Sequence, residues 1–233
     1  IRDRLTGVLI DNSMQLINSI IPEPTENESI KALLSAQDMA FENGLTTVSE
    51  AGISREQIEL IDSLQKSGIL KIKIYAMIEN GPDVDYYISQ GPYKTGRLNV
   101  RSVKVLADGA LGSRGASMID EYSDRKGYYG LMLTPADSIR SLAFKLAGTG
   151  FQMNTHAIGD NANRVVLNAY RDALFNYRDP RWRVEHAQVL KEDDIQLFNQ
   201  KIIPSVQPTH ATSDMYWLYD RIGKERAKNA YAY

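Results

Sequence analysis

The sequence predicts an α/β fold with a parallel sheet, arranged as about six βα units. Three observations lead to this fold class. Short apolar segments alternate with amphipathic helices, which is the order that a parallel sheet with right-handed crossovers requires. Glycines stand where predicted helices end. Finally, 233 residues suffice for one barrel-sized domain, so we expect residues 1–233 to form a single domain.

Two helices and three strands are predicted in the first half of the chain. Gly44 and Gly68 follow the two helices at the position where a left-handed residue commonly ends a helix. The next apolar segments have the length and composition of strands. The predicted elements are helices 28–43 and 55–67, strands 45–49, 70–78 and 100–106, and an irregular segment 81–97 with room for a short helix.

The second half begins with a long polar loop, and loops of this length tend to be functional or mobile. Asp160 is the predicted N-cap of one of the following helices. The predicted elements are loop 107–133, helix 134–147, strand 151–155, a helix from Asp160, strand 182–185, helix 192–199 and strand 202–207. A full TIM barrel, (β/α)8, has eight strands. The count therefore indicates a barrel without its first and last strands, or an open α/β sheet.

Composition excludes several function classes. The chain has 27 Lys and Arg against 29 Asp and Glu, so we expect neither nucleic acid nor an anionic membrane as partner. No apolar run approaches the ~20 residues of a membrane span. Without cysteine there is no disulfide, thiol nucleophile or cysteine metal site, and the compartment stays undecided, with the cytoplasm slightly favoured. The expected partner is a small-molecule substrate, and a homodimer is left open.

Two of the three histidines follow predicted strands directly. His156 comes after F-Q-M-N-T, and His186 comes after W-R-V-E. Barrel enzymes place their active sites at the carboxyl ends of strands, and neutral imidazole is a common ligand of divalent metals. We therefore predict that His156 and His186 are metal ligands. Because neighbouring strand residues face opposite sides, Glu185 should face away from this site and pair with Arg181 or Arg183.

Four further residues are candidates for the site. His210 lies just past the last strand and Arg114 lies in a glycine-rich loop, so both could contact a substrate. Lys104 lies on the predicted strand 100–106, Asp108 lies just past its end, and the two are the candidate catalytic residues. For this pair, residue chemistry alone favours a structural ion pair. A carbamylated Lys104 bridging two metals is the alternative.

Four strings together resemble amidohydrolase family 3, and in particular its branch similar to N-substituted formamide deformylase. They occur in the order G-L-T-T-V-S-E-A-G (44–52), V-K-V-L-A-D-G-A-L-G-S-R-G-A (103–116), H-A-I-G-D (156–160) and R-V-E-H-A (183–187). The resemblance covers nearly the whole chain. Each short string alone is moderate evidence, whereas the ordered combination is specific.

The resemblance implies a TIM barrel flanked by a small β-sandwich and the hydrolysis of a C–N bond by metal-activated water. It implies that His156 and His186 are the ligands after strands five and six, and that Lys104 is the strand-four lysine that is often carbamylated in relatives. The implied cofactor is one or two divalent ions, with zinc expected. A strand-end carboxylate, the eighth-strand aspartate of the family, holds the water and accepts its proton.

The chain also departs from the family pattern. No histidine precedes His156, so the first-strand H-x-H pair is missing, as are the eighth-strand aspartate and the sandwich. The resemblance therefore implies an excised part of the barrel domain, which by itself should bind metal weakly and be inactive. Two alternatives stay open: ester or phosphoester hydrolysis on the same metal centre, and a non-catalytic barrel used for interaction.

Overall fold

A computed structural model describes residues 7–9 and 11–231. After a 3-10 turn at Asp11–Met14, strands and helices alternate along most of the chain. The helices are α1 (Gln15–Asn18), α2 (Glu26–Glu42), α3 (Arg55–Lys66), α4 (Asp83–Gln90), α5 (Ala136–Leu146), α6 (Asp160–Ala173), α7 (Glu192–Ile195), α8 (Thr209–Ser213) and α9 (Leu218–Ala227). The strands are β1 (Thr47–Ile53), β2 (Lys73–Glu79), β3 (Tyr93–Lys94), β4 (Leu98–Leu106), β5 (Gln152–Ala157), β6 (Trp182–His186) and β7 (Ile202–Ser205).

The strands form one sheet in the order β1-β2-β4-β5-β6-β7. These six strands are parallel, and β3 pairs antiparallel with the start of β4. Among the described residues, β1 pairs only with β2 and β7 only with β6, so the sheet is open at both edges. The predicted α/β class with a parallel sheet is confirmed. Because the strands are parallel, the carboxyl ends of β4, β5 and β6 lie together along one edge.

Helix boundaries follow local sequence signals. Thr25 and Ser54 cap α2 and α3 through capping boxes, with Glu28 and Gln57 as the reciprocal acceptors. Gly44 ends α2 with a φ of 74°, as predicted. The prediction that Asp160 is the N-cap of α6 is wrong. Gly159 holds that position, and Asp160 is the first helical residue. Its carboxylate instead accepts a hydrogen bond from the backbone of Ile119 at 2.8 Å.

Strand boundaries differ from the predictions where backbone groups have other partners. The side chain of Gln37 accepts hydrogen bonds from the backbone N–H groups of Lys71 and Ile72, so β2 begins later than predicted, at residue 73. The N–H of Leu45 bonds to the last turn of α2 at Ala40, which delays the start of β1. Segment 81–97 was predicted as irregular with room for a short helix. The helix is α4, whereas β3 in the same segment was not predicted.

The main core lies between the sheet and the helices that follow its strands. Tyr170 of α6 and Trp182 of β6 are both fully buried, and their rings meet edge to face at 4.9 Å. Each polar tip has a partner: the Tyr170 hydroxyl donates to the carbonyl of Met153, and the Trp182 indole donates to that of Phe151. This packing joins β5, β6 and α6 into one unit.

The loop between β4 and α5 packs into a second, smaller apolar cluster. Leu111, Met118 and Tyr122 of this loop are buried against Leu218 and Ile222 of α9. The predicted long loop is therefore a packed part of the molecule. Among the described residues, no helix is long and apolar enough to span a membrane.

Two adjacent residues after α6 allow a test of the core. Leu174 is 1 % exposed and Phe175 is 79 % exposed. We expect Leu174→Ala to lower the free energy of unfolding by about 2–5 kcal/mol, because it leaves a cavity in the main core. Phe175→Ala should change it by less than ~0.5 kcal/mol. Urea unfolding of both variants measures the difference, and equal effects would contradict the described burial.

Candidate metal centre

His156 and His186 lie at the ends of neighbouring parallel strands. In the register of β5 and β6, Ala157 pairs with His186. The two imidazole ring centroids are 4.7 Å apart, and the ring planes are inclined at 74°. The structure therefore brings together the two histidines that the sequence singled out.

The backbone of His186 is unusual. Its φ is 73° and that of Ala187 is 46°, a left-handed region that residues other than glycine rarely adopt. Simple strand alternation therefore stops at this point. Glu185 pairs with Arg183 at 2.7 Å, which is one of the two partners expected for it. The carboxylate of Glu185 also lies close enough to Lys104 to raise the pKa of that lysine. Glu185 therefore lies near the site, although strand alternation predicted that it would face away.

Lys104 projects from β4 next to these strands. Burial lowers the pKa of Lys104 to about 8, while the nearby Glu185 acts in the opposite direction. Its Nζ donates a hydrogen bond to the carbonyl of Val105 at 3.3 Å. Gly52 at the end of β1 has a φ of 105°, and a Cβ there would lie 3.5 Å from Cγ of Lys104. The G-L-T-T-V-S-E-A-G string thus ends where the backbone passes closely over this side chain.

Burial favours the neutral form of both imidazoles. Burial, followed by the neighbouring His186 and Lys104, lowers the pKa of His156 to about 3. Burial also lowers the pKa of His186. A neutral imidazole keeps one unprotonated nitrogen, which is the form that binds a metal. Nε2 of His156 is buried and, among the described residues, makes no hydrogen bond.

His186 has a direct partner that the sequence analysis passed over. Its Nδ1 lies 2.6 Å from Oε1 of Gln207, which follows β7. Gln207 stands at a strand end like the two histidines, and this position in the sequence could have predicted that it belongs to the site. Of the residues around the end of the last strand, only His210 was predicted to belong to the site.

His210 of α8 faces the same centre. Its ring centroid is 6.4 Å from that of His186, and its side chain is 38 % exposed. Nδ1 of His210 lies 3.4 Å from Oδ2 of Asp214, a carboxylate that also accepts hydrogen bonds from Gln188 and Tyr231. The position fits the predicted contact with substrate. Asp214 and its network were not anticipated from the sequence.

Asp108 is buried and serves the backbone. Its two carboxylate oxygens accept hydrogen bonds from the N–H groups of Ser117, Ile158 and Gly159 at 2.8, 3.0 and 2.8 Å. Oδ1 also lies 3.5 Å from Nε2 of His156. An ion pair between Lys104 and Asp108 was expected. The pKa of Lys104 instead depends on burial and on the charges of Glu185 and Arg183. This geometry favours a positioning role for Asp108 over the predicted catalytic one.

Arg114 has a partner within the protein. Its guanidinium binds Asp124 through two hydrogen bonds of 2.9 and 2.8 Å. Arg221 of α9 binds the same carboxylate. Such a bidentate pair occupies the group that was predicted to hold a substrate. The structure therefore does not place Arg114 as an available substrate contact.

The residues present fit part of a divalent metal centre. Two neutral imidazoles lie side by side, and one has a buried nitrogen without a hydrogen bond. An ammonium group has no lone pair, so Lys104 could join them only after losing a proton, as the neutral amine or as a carbamate. Within residues 7–9 and 11–231, no group of three or more His, Asp or Glu side chains could hold a metal ion. The described residues therefore offer two candidate ligands, His156 and His186, and a lysine that could become a third.

Comparison with known families assigns the chain. The model described as "Amidohydrolase family" matches residues 1–233. The chain belongs to the amidohydrolase family. This membership agrees with the resemblance found from the four strings, although the comparisons do not distinguish the formamide deformylase-like branch.

Individual relatives are longer than this chain. Protein LONG AFTER FAR-RED 3 of Arabidopsis thaliana is 31% identical over 98% of this chain and 42% of its own length. Uncharacterized metal-dependent hydrolases of Pyrococcus furiosus and Pyrococcus horikoshii OT3 superimpose with TM-scores of 0.83 and 0.85 at 29% and 28% identity. The superpositions include 94% and 98% of this chain. They include 46% and 47% of the two Pyrococcus chains. The chain thus spans less than half the length of these proteins.

The role of Asp108 can be tested by stability. We expect Asp108→Ala to lower the free energy of unfolding by at least ~3 kcal/mol, because three backbone N–H groups lose their acceptor. Asp108→Asn keeps one acceptor oxygen and should be milder. Asp38→Ala, at an exposed position of α2, is the matched control. Urea unfolding measures all three, and an Asp108→Ala variant as stable as the control would exclude the positioning role.

Proposed function

We propose that this chain forms part of the TIM barrel of a metal-dependent hydrolase that cleaves an amide- or formamide-like C–N bond with a metal-activated water. The observation that carries the proposal is the pair of neutral imidazoles of His156 and His186, 4.7 Å apart at neighbouring strand ends. Membership of the amidohydrolase family and the likeness to two metal-dependent hydrolases of Pyrococcus support it.

His156, His186 and Lys104 are the residues that we propose to hold the metal, for which zinc is our first choice. A divalent ion at such a centre lowers the pKa of a bound water and polarises the substrate carbonyl. The two imidazoles provide neutral nitrogen ligands. Lys104 adds CO2 at Nζ with loss of a proton, and the resulting carbamate provides an anionic oxygen ligand.

His210 is our candidate for contact with the small-molecule substrate. Asp214 lies beside its Nδ1 and orients the ring, and the partly exposed side chain can be reached from solvent. With the Nδ1 proton directed to Asp214, Nε2 of the neutral ring is a hydrogen-bond acceptor that suits the N–H group of an amide substrate. Asp108, whose oxygens accept three backbone N–H groups, instead holds in place the loop and the turn next to the histidines.

Zinc binding to this chain tests the proposed ligands. We expect His156→Asn and His186→Asn each to weaken zinc binding at least ~10-fold, since each removes a ligand and even loss of a supporting residue typically has that effect. His210→Asn is the matched control and should leave the affinity nearly unchanged. Isothermal titration measures all of them. If both ligand variants bind zinc like the wild type, the proposed centre is wrong.

A substrate panel tests the proposed bond. In the protein that contains this chain, we expect turnover of N-formyl and carboxylic amides that is lost on chelation and restored by zinc. Carboxylic esters and phosphotriesters on the same panel test the alternative, since a fold does not by itself fix the chemistry. Preferential turnover of a phosphotriester would move the assignment to that class. Activity that survives full chelation would exclude a metal-dependent reaction.

A further inference from the structure

We propose that Gln207 is a positioning residue that fixes His186 in the tautomer with the proton on Nδ1. The unprotonated Nε2 of His186 is then the nitrogen available to a divalent cation. The part of this inference that concerns the cation rests on the proposed function. The part that concerns the tautomer rests only on the hydrogen bonds of Gln207.

The first step is the orientation of the Gln207 amide. Nε2 of Gln207 donates a hydrogen bond to the backbone carbonyl of Ser205 at 3.3 Å. A carbonyl oxygen can only accept, so the atom facing Ser205 must be the amide nitrogen. The opposite atom, which faces His186, is therefore the amide oxygen Oε1.

The second step is the position of the proton on His186. Oε1 of Gln207 lies 2.6 Å from Nδ1 of His186. An amide oxygen has no hydrogen to give, so Nδ1 must be the donor in this contact. In a neutral imidazole only one nitrogen carries hydrogen, which leaves the lone pair on Nε2. A partner on the second ring nitrogen typically sets the tautomer of a metal-binding histidine in this way.

The third step is the rigidity of Gln207 itself. Glu185 of β6 pairs with Ser205 of β7, so the segment after β7 lies directly beside His186. The backbone carbonyl of Gln207 accepts a hydrogen bond from the N–H of His210 at 3.0 Å, at the start of α8. Gln207 is thus held through its backbone by α8 and through its side chain by Ser205. A partner fixed in this way can define the orientation of the ring.

The left-handed backbone of His186 leaves its ring direction to contacts other than strand alternation. At a φ of 73° His186, the last residue of β6, departs from strand geometry, so alternation along β6 does not determine where its ring points. Backbone strain of this kind persists where surrounding contacts enforce it. Among the described contacts of the ring, the bond to Gln207 is the hydrogen bond that orients it.

The test compares three variants of this chain. Gln207→Met is close in size but removes the acceptor, whereas Gln207→Glu keeps an acceptor for Nδ1. Gln200→Met, at an exposed position before β7, is the matched control for the substitution itself. Nitrogen-15 NMR of the imidazoles at alkaline pH reports the tautomer without metal, with His186 assigned from the loss of its signals in His186→Asn. Isothermal titration with zinc alone reports affinity.

We expect the wild type, Gln200→Met and Gln207→Glu to hold His186 with hydrogen on Nδ1. Gln207→Met should lose this preference and bind zinc at least ~10-fold more weakly, the usual size of such effects. A His186 tautomer that is unchanged in Gln207→Met, or hydrogen on Nε2 in the wild type, would overturn the inference. If the tautomer responds as expected but the wild type binds no zinc, the tautomer inference stands and the proposed metal centre fails.

Discussion

The buried carboxylate of Asp108 accepts backbone hydrogen bonds from two separate segments and thereby joins them. One segment is the loop after β4, through Ser117, and the other is the turn after β5, through Ile158 and Gly159. A Cβ on Gly159 would lie 1.9 Å from the carbonyl oxygen of Ser117, so only glycine permits this approach. The D-G-A-L-G-S-R-G-A and H-A-I-G-D strings meet here, and His156 is fixed beside the junction.

The electrostatics of the site follow from this burial. Lys104, His156 and His186 are crowded at the ends of three neighbouring strands, and removal from water disfavours the charged form of each one. Each positive charge would also repel the others. Glu185 offsets part of this effect at Lys104, while Arg183 adds to it. The outcome is two neutral imidazoles, which is the state that a metal ligand requires.

Sequence reasoning succeeded where a local pattern has one physical meaning. Strand-end histidines on consecutive parallel strands must be neighbours, so His156 and His186 could be paired from their positions alone. It could not name the partners of Arg114 and Asp108. Their structural partners, Asp124 for Arg114 and three backbone N–H groups for Asp108, lie 9 to 51 residues away along the chain. The sequence does not distinguish a charged loop residue that binds a ligand from one that is paired within the protein.

The sequence by itself determined the α/β class, the order of the strands and helices, and the two histidines of the candidate centre, because hydrophobic periodicity and strand-end position are local properties. The tertiary structure alone decided which side chains contact the histidines. Gln207 reaches His186 across the β6–β7 pairing, and Asp214 reaches His210 within a network that includes Gln188 and Tyr231. These contacts depend on the packing of segments that are distant in the chain, and on a left-handed backbone at His186 that no strand pattern encodes.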